Sequence, residues 1–262
     1  MVELPEVVIE RVAAARGGGE PLAELVDAAV AKLGLDIAKT PVGGVIAATF
    51  SNPDRFPSLA VRVASRLGLS RDTPAFDLQM ACSAYPYSVY LAAKLAADVK
   101  KPVLVVDGDV QSRLVDCADH ATGDIFSDAA TASVVSVGDG PSSRFGFLSH
   151  LDDALTCGES GPIHMDGMRV FTFVATEVVG FLRGFGHDVD HFAPHQANPY
   201  MVRQLAKSLG LADRLLTISE DKKNPGSCSV PMALAESGAS GRVLIAGFGA
   251  GFSASAGVVS VR

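Results

Sequence analysis

One stretch of this chain is written twice. Pro57-Ser-Leu-Ala-Val-Arg-Val-Ala-Ser-Arg-Leu-Gly-Leu69 returns 142 residues later as Pro199-Tyr-Met-Val-Arg-Gln-Leu-Ala-Lys-Ser-Leu-Gly-Leu211, with Pro, Ala, Leu, Gly and Leu at matching positions. Both copies read as helices with proline in the first turn and Leu-Gly-Leu as the exit. The flanks repeat too. An apolar run precedes each helix (42–50 and 189–197), and a short strand follows it (75–78 and 215–218). A loop, a second helix and a β-branched strand come next, at 103–106 and 243–246. Upstream, Leu22, Leu25, Val26, Ala29, Val30 and Leu33 keep helical spacing, with 170–182 as the equivalent stretch.

Strands alternating with helices predict an α/β chain whose central strands are buried and mostly parallel. We read two duplicated βαβαβ halves, 1–145 and 146–262, that share one architecture. At the same offset of 142, Cys82 of the first half corresponds to Asn224 of the second. Both fall on loops before helices, so the symmetry brings them toward one site between the halves.

Composition narrows the function classes. Twenty-two basic against 29 acidic residues leave a net charge of −7, which gives no footprint for nucleic acid. The opening Met1-Val-Glu-Leu-Pro-Glu6 carries acid where a secretory leader carries base, and the longest apolar tract (243–259) is broken by Gly and Ser. A cytoplasmic protein without a membrane span is expected. Cys82, Cys117, Cys157 and Cys228 lie 35, 40 and 71 residues apart without a CxxC pair, so no metal site and no disulfide framework is expected.

Three residues carry the chemistry. Cys82, in Phe76-Asp-Leu-Gln-Met-Ala-Cys-Ser-Ala84, sits between a strand and a helix start. The helix dipole and free backbone N–H groups there favour the reactive thiolate, whereas a lone cysteine without that setting is a small buried hydrophobe. His195, in Phe192-Ala-Pro-His-Gln-Ala-Asn-Pro199, lies at a strand exit, where α/β sheets bind ligands. A core histidine is the plain alternative; the other five (His120, His150, His164, His187, His191) are read as structural or solvated. Asn224, in Lys223-Asn-Pro-Gly-Ser-Cys-Ser229, is a site residue or a turn former. Gly247-Phe-Gly-Ala-Gly-Phe252 lacks a following helix, so it reads as a turn offering N–H groups to an oxyanion rather than a dinucleotide loop.

With these motifs in order, the chain resembles the β-ketoacyl-acyl-carrier-protein synthase III family of the thiolase-fold superfamily. The resemblance rests on Ala81-Cys82-Ser83, Pro194-His195-Gln196-Ala197-Asn198, the Asn-x-x-x-x-Ser-x-Pro segment from Asn224 to Pro231, and Phe248-Gly-Ala-Gly-Phe252, and it runs from about Leu22 to Val261. There are departures. The chain is expected to begin without the family's first strand and without the Trp- and Arg-bearing segment that holds coenzyme A, and there is no Trp. The family's Phe-Gly-Asp-Gly-Ala-Gly is Phe126-Ser-Asp-Ala-Ala-Thr131, the Gly before the asparagine is Lys223, and an arginine five residues after the histidine is Tyr200.

The resemblance implies a layered α/β/α/β/α fold, a homodimer, and no bound metal or redox cofactor. Its substrates would be acyl thioesters of coenzyme A or an acyl carrier protein. It implies acyl transfer to Cys82, then decarboxylative condensation with a malonyl thioester in fatty-acid or polyketide-type synthesis. His195 and Asn224 would serve the enolate, and the N–H groups of Cys82 and of Gly249, Ala250 or Gly251 would serve the tetrahedral oxyanion. Arg203 and Lys207, four apart on one helix face, are the expected carrier-docking residues, with Lys222 and Lys223 near the same entrance. Non-decarboxylating transfer to an alcohol or amine, a non-catalytic subunit beside an active paralogue, and a papain-like hydrolase are the alternatives weighed.

Overall fold

The computed structural model describes residues 1–119, 122–159, 161–218 and 223–262. In chain order it runs β1 (Val2–Arg16), α1 (Leu22–Leu33), β2 (Gly44–Ala48), α2 (Leu59–Arg66), β3 (Ala75–Leu78), α3 (Ala84–Val99), β4 (Val103–Asp109) and β5 (Ala129–Ser149). A small hairpin, β6 (Leu155–Cys157) and β7 (Ile163–Met165), leads into α4 (Gly167–Phe173), which a π-helical segment (Val174–Val178) joins to α5 (Val179–Arg183). β8 (His191–Pro194), α6 (Pro199–Ser208), α7 (Ser229–Ser237), β9 (Gly241–Gly249) and β10 (Ser253–Val261) complete it.

Alternation along the strands builds the layers. On β2 and β4, Val45, Ala47, Leu104 and Val106 face outward onto α1 and α2. Their neighbours Ile46, Val103 and Val105 face inward onto Tyr85, Val89 and Ala92 of α3 and Val230 and Leu234 of α7. In the second half, Val243 and Ile245 of β9 share that inner core, while Phe192, Leu244 and Ala246 face out onto α4, α5 and α6. The result is helices, sheet, helices α3 and α7, sheet, helices, the layered α/β fold expected from the sequence. Among the described residues the two sheets are continuous, in the order β3-β2-β4-β5-β1-β10-β9-β8.

The internal symmetry is visible in the pairing. β2 runs parallel to β4 and β8 parallel to β9, and each central strand is followed by an antiparallel one, β5 or β10. The expected strand at 215–218 is reduced to a single bridge, Phe192–Leu215. Pro57 lies outside α2, where Ser58 is the N-cap, while Pro199 begins α6 behind Asn198. Both helices exit through a left-handed glycine, Gly68 (φ 66°) and Gly210 (φ 67°). The expectation that the chain begins without a first strand is corrected by β1, whose long antiparallel ladder to β5 buries Val7, Val8 and Ile9 at the centre. β5 passes unbroken through 145–146, so the halves share a strand at that point.

Candidate active site

Cys82 stands in a tight 3₁₀ turn, Ala81–Ser83, immediately ahead of α3. Ala81 has φ 42°, a left-handed value that L-residues avoid. The turn is fastened to the other half by hydroxyls. Ser83 Oγ donates to the Met80 carbonyl (2.8 Å) and meets Ser253 Oγ at 2.8 Å, while Ser255 Oγ donates to the Ser83 carbonyl at 2.6 Å. Gly247 and Gly249 lie directly beside it. A Cβ on Gly247 would fall 2.8 Å from the Cys82 carbonyl oxygen, and one on Gly249 3.0 Å from Cys82 Cβ. The glycines of the final turn are therefore required by how closely β9 approaches the cysteine loop.

His195 ends β8 and is held by its backbone N–H donating to the Ala246 carbonyl (2.7 Å). Its ring packs edge-on against Phe248, with centroids 5.3 Å apart. Nδ1 meets Ser229 Oγ at 2.8 Å, and the Gln196 N–H donates to the same oxygen at 3.2 Å. Nε2 faces Asn224 Nδ2 at 3.5 Å. Asn224 is pinned from several sides. Its Oδ1 accepts from the Gly226 N–H at 2.9 Å, its N–H donates to the Ile125 carbonyl, and its carbonyl accepts from the Ser127 N–H and from Gln111 Nε2. That leaves the amide Nδ2 turned toward the histidine. Cys82, His195, Asn224, Phe248 and Gly249 line one cavity of about 170 Å³.

Burial governs the charges. It pushes the Cys82 thiol up to about 12, with the nearby Asp109 carboxyl adding to the rise. The expectation of a thiol lowered by the helix start is therefore corrected. The α-helix proper begins only at Ala84, and loss of water outweighs the dipole. Burial also lowers His195 to about 4, against a backbone hydrogen bond at Gly226, so its imidazole is neutral at pH 7. Beneath the site Asp107 and Asp109 share the inward face of β4. Asp109 Oδ1 accepts from Thr49 Oγ1, the Phe50 N–H and both the N–H and Oγ of Ser51. Its burial raises it to about 7. Burial also raises Asp107 well above the usual carboxylate range, with the Asp109 carboxyl adding to the rise.

A second cavity, about 530 Å³, also reaches Cys82 and is lined by Met80, Leu151, Leu155, Ile163 and Phe252. Ala250 and Gly251 of the final turn line it too, beside Cys82. Arg203 and Lys207 lie exposed on α6, whose first turn borders the smaller cavity through Asn198 and Met201. Lys223 donates to the Gly123 carbonyl, while Lys222 and His120 fall outside the described residues.

Several participants were not singled out from the sequence. Ser229 is the serine of the Asn-x-x-x-x-Ser-x-Pro segment, so that motif held the signal. His150, read as structural, lines the larger cavity and donates its backbone N–H to the Phe252 carbonyl. Gln111 and Asp109 carried no motif at all. Among the described residues no cluster of metal-ligating side chains is found, and no helix is long and apolar enough to cross a membrane.

Family models for 3-oxoacyl-[acyl-carrier-protein] synthase III match residues 76–152, and for its C-terminal part residues 186–261. The β-ketoacyl-[acyl-carrier-protein] synthase III of Neisseria gonorrhoeae is 32% identical over 235 residues, covering 79% of this chain and 73% of the relative. That of Neisseria meningitidis serogroup B is 31% identical over 257 residues, covering 88% and 80%. A solved 3-oxoacyl-(acyl-carrier-protein) synthase from Burkholderia xenovorans superposes with a TM-score of 0.86 over 99% of this chain and 95% of its own at 20% identity, which supports the fold. The chain belongs to the 3-oxoacyl-[acyl-carrier-protein] synthase III family, a family of condensing acyltransferases.

Proposed function

We propose that this chain performs a two-step condensation in fatty-acid or polyketide-type synthesis, with Cys82 as acyl acceptor and His195 and Asn224 as the decarboxylation pair. The observation carrying this reading is the meeting of His195 Nε2 and Asn224 Nδ2, 3.5 Å apart, in the cavity that Cys82 also lines. In the first step Cys82 Sγ bonds to the acyl carbon of a coenzyme A or carrier-protein thioester, and the thiol proton ends on the departing thiol. In the second, a malonyl thioester loses CO₂. With Ser229 as donor to Nδ1, the neutral ring carries its proton on Nε2, and both Nε2–H and Asn224 Nδ2–H then point to where enolate charge develops. The carbanion attacks the acyl-Cys82 carbonyl, and collapse of the tetrahedral adduct breaks the carbon–Sγ bond, releasing the β-ketoacyl thioester and leaving Cys82 as a thiolate that takes up a proton from water. The N–H of Cys82 and one from Gly249, Ala250 or Gly251 hold the tetrahedral oxyanion, each donor worth ~10²–10³ in rate. The carbanion comes from decarboxylation, so the scheme calls on no metal or redox cofactor.

Intact-protein mass spectrometry with an acyl thioester, followed by CO₂ release from a malonyl thioester, tests both steps. Cys82→Ala should take up no acyl mass. His195→Ala and Asn224→Ala should still acylate and lose CO₂ release by roughly 10²-fold or more. Wild-type CO₂ release in either variant would overturn the assignment.

The surroundings belong to the same reading. Halves 1–145 and 146–262 are the duplicated units, the first giving the Cys82 turn to the site and the second the segments that carry His195, Asn224 and Gly249. β3 is an edge strand with Phe76 exposed, and Phe56 ahead of α2 is 84% exposed; a second copy of the chain would cover such an edge. Light scattering at 27.1 kDa would refute the homodimer. Arg203 and Lys207 would dock an acidic carrier protein in the cytoplasm, and reversing both to Glu should raise KM for a carrier-bound substrate alone.

A further inference from the structure

Asn224 reaches His195 from a segment short of donors of its own. Pro225 follows it without an N–H to give, and the 3₁₀ turn that leads to α7 begins only at Gly226. The asparagine side chain is tied to its own turn, through Oδ1 and the Gly226 N–H, so its direction follows the backbone. That backbone is held against residues 125–127. Phe126 and Asn224 form a parallel bridge, in which the Asn224 N–H donates to the Ile125 carbonyl (2.7 Å) and the Ser127 N–H donates to the Asn224 carbonyl (3.0 Å). A side chain at the exit of β4 clasps both partners. Gln111 Nε2 donates to the Ser127 carbonyl at 2.8 Å and to the Asn224 carbonyl at 3.2 Å. Both acceptors are carbonyl oxygens, which places the nitrogen of the amide on that side. Gln111 is fully buried at the start of the 3₁₀ turn Gln111–Arg113. Ser112 bolts that turn down, its N–H and Oγ donating to the Asp128 carboxylate at 2.8 and 2.6 Å.

Resting on the decarboxylating role read above for Asn224, we propose that Gln111 is a positioning residue for the condensation: its amide clasps the Ser127 and Asn224 carbonyls and so aims Asn224 Nδ2 at the thioester carbonyl of the malonyl donor. Gln111 touches no reacting atom in this scheme. It acts through Asn224, on the step that builds enolate charge, and Cys82 acylation proceeds without it. A donor must sit where the charge develops, and a displacement of about 1 Å costs on the order of 10²-fold. Since that charge is present only in the transition state, the loss falls on kcat rather than KM. Gln111 also lines the larger cavity beside Cys82, so the replacement that tests it has to keep its length.

The experiment uses Gln111→Met, which keeps the length and removes the donors, and Gln111→Asn, which withdraws the amide by one methylene. Thermal melts establish that each is folded, and should Gln111→Met fail to fold, Gln111→Asn carries the same readings. Acylation of Cys82 by acetyl-N-acetylcysteamine, followed by intact mass, should stay within about threefold of wild type. CO₂ release from malonyl-N-acetylcysteamine should fall roughly 10- to 100-fold in kcat, with KM little changed. In the Asn224→Ala background the same Gln111 substitution should alter CO₂ release by less than about twofold, because the side chain it aims is gone. Wild-type CO₂ release in the folded variant overturns the proposal. So do equal losses in acylation and CO₂ release, a loss confined to KM, or a loss that multiplies with that of Asn224→Ala. Wild-type CO₂ release in Asn224→Ala itself is a different failure: it overturns the decarboxylating role of Asn224, and the role of Gln111 with it.

Discussion

The turns ahead of α3 and α7 are the same device put to two uses. Each is a three-residue 3₁₀ turn, Ala81–Ser83 and Gly226–Cys228, feeding directly into a central helix. Their first residues share a left-handed backbone, Ala81 at φ 42° and Gly226 at φ 62°. Superposed by these helix starts, the offset is 145 rather than 142. Cys82 then corresponds to Ser227, and Asn224 lies three residues earlier. The sequence offset was set by α2 and α6, and the connections between them and the turns differ in length. The first turn thus presents its own middle side chain, Cys82, to the smaller cavity, whereas the second is preceded by the residue that lines it, Asn224. The two turns share a scaffold, and the connection before the second shifts the cavity-lining side chain by three residues.

The sharpest way to break this comparison is to exchange the middle residues. Cys82→Ala with Ser227→Cys should show no acylation, a loss of at least ~10³-fold relative to wild type. Ser227 sits 1% exposed behind Asn224, against Asp107, and does not line the smaller cavity. Acyl mass at position 227 of the double variant, located by digestion and mass mapping, would mean that the turns are functionally equivalent.

The shared backbone gives a second test of intermediate size. Gly226→Ala puts a Cβ 3.3 Å from Gln111 Nε2 on a left-handed residue, and should cost about 1–2 kcal/mol in a denaturant melt. Because Gln111 also holds the Asn224 carbonyl, CO₂ release should fall further than acylation. Ala81→Gly relieves the same strain in the other turn while adding unfolded-state freedom, so its stability change should stay within about 1 kcal/mol. Equal losses from the two substitutions would refute the equivalence of the turns.

How much of this was legible beforehand follows from what each feature depends on. The repeat exposed the layer order because helix spacing, proline starts and glycine exits are local chemistry. That Cys82, His195 and Asn224 converge on one cavity was legible because each sits on a loop ahead of a helix. β1 stands against the expected absence of a first strand because Val7–Ile9 is too short an apolar run to stand alone, and its pairing is set by β5, far away in sequence. The strand expected at 215–218 shrank to a bridge because that pairing is set by tertiary packing. The thiol's elevation was hidden for another reason: dipoles can be read from a helix start, while burial and the charge of Asp109 come from strands far away in sequence.

Asp109 offers the smallest effect and the finest test of that last point. Its carboxyl is raised to about 7, above the ~3.9 of an unfolded chain. The folded state therefore binds the extra proton, and the stability this contributes is present below about pH 4 and is lost as pH rises through about 7. Above that pH the ionised carboxylate also disfavours the Cys82 thiolate. Asp109→Asn keeps an oxygen for the four donors from Thr49, Phe50 and Ser51, and replaces the oxygen that lacks a partner among the described residues. The variant should alkylate at Cys82 with iodoacetamide roughly threefold to tenfold faster than wild type at pH 8, a shift of under one pKa unit. At pH 5.5 wild-type Asp109 is protonated, so the rates should converge. Melts across the same range should show the variant losing less stability between pH 5 and pH 8. A rate advantage that persists at pH 5.5 would trace the effect to loosened packing of the 49–51 loop, and an absent one at pH 8 would leave burial alone as the cause of the raised thiol.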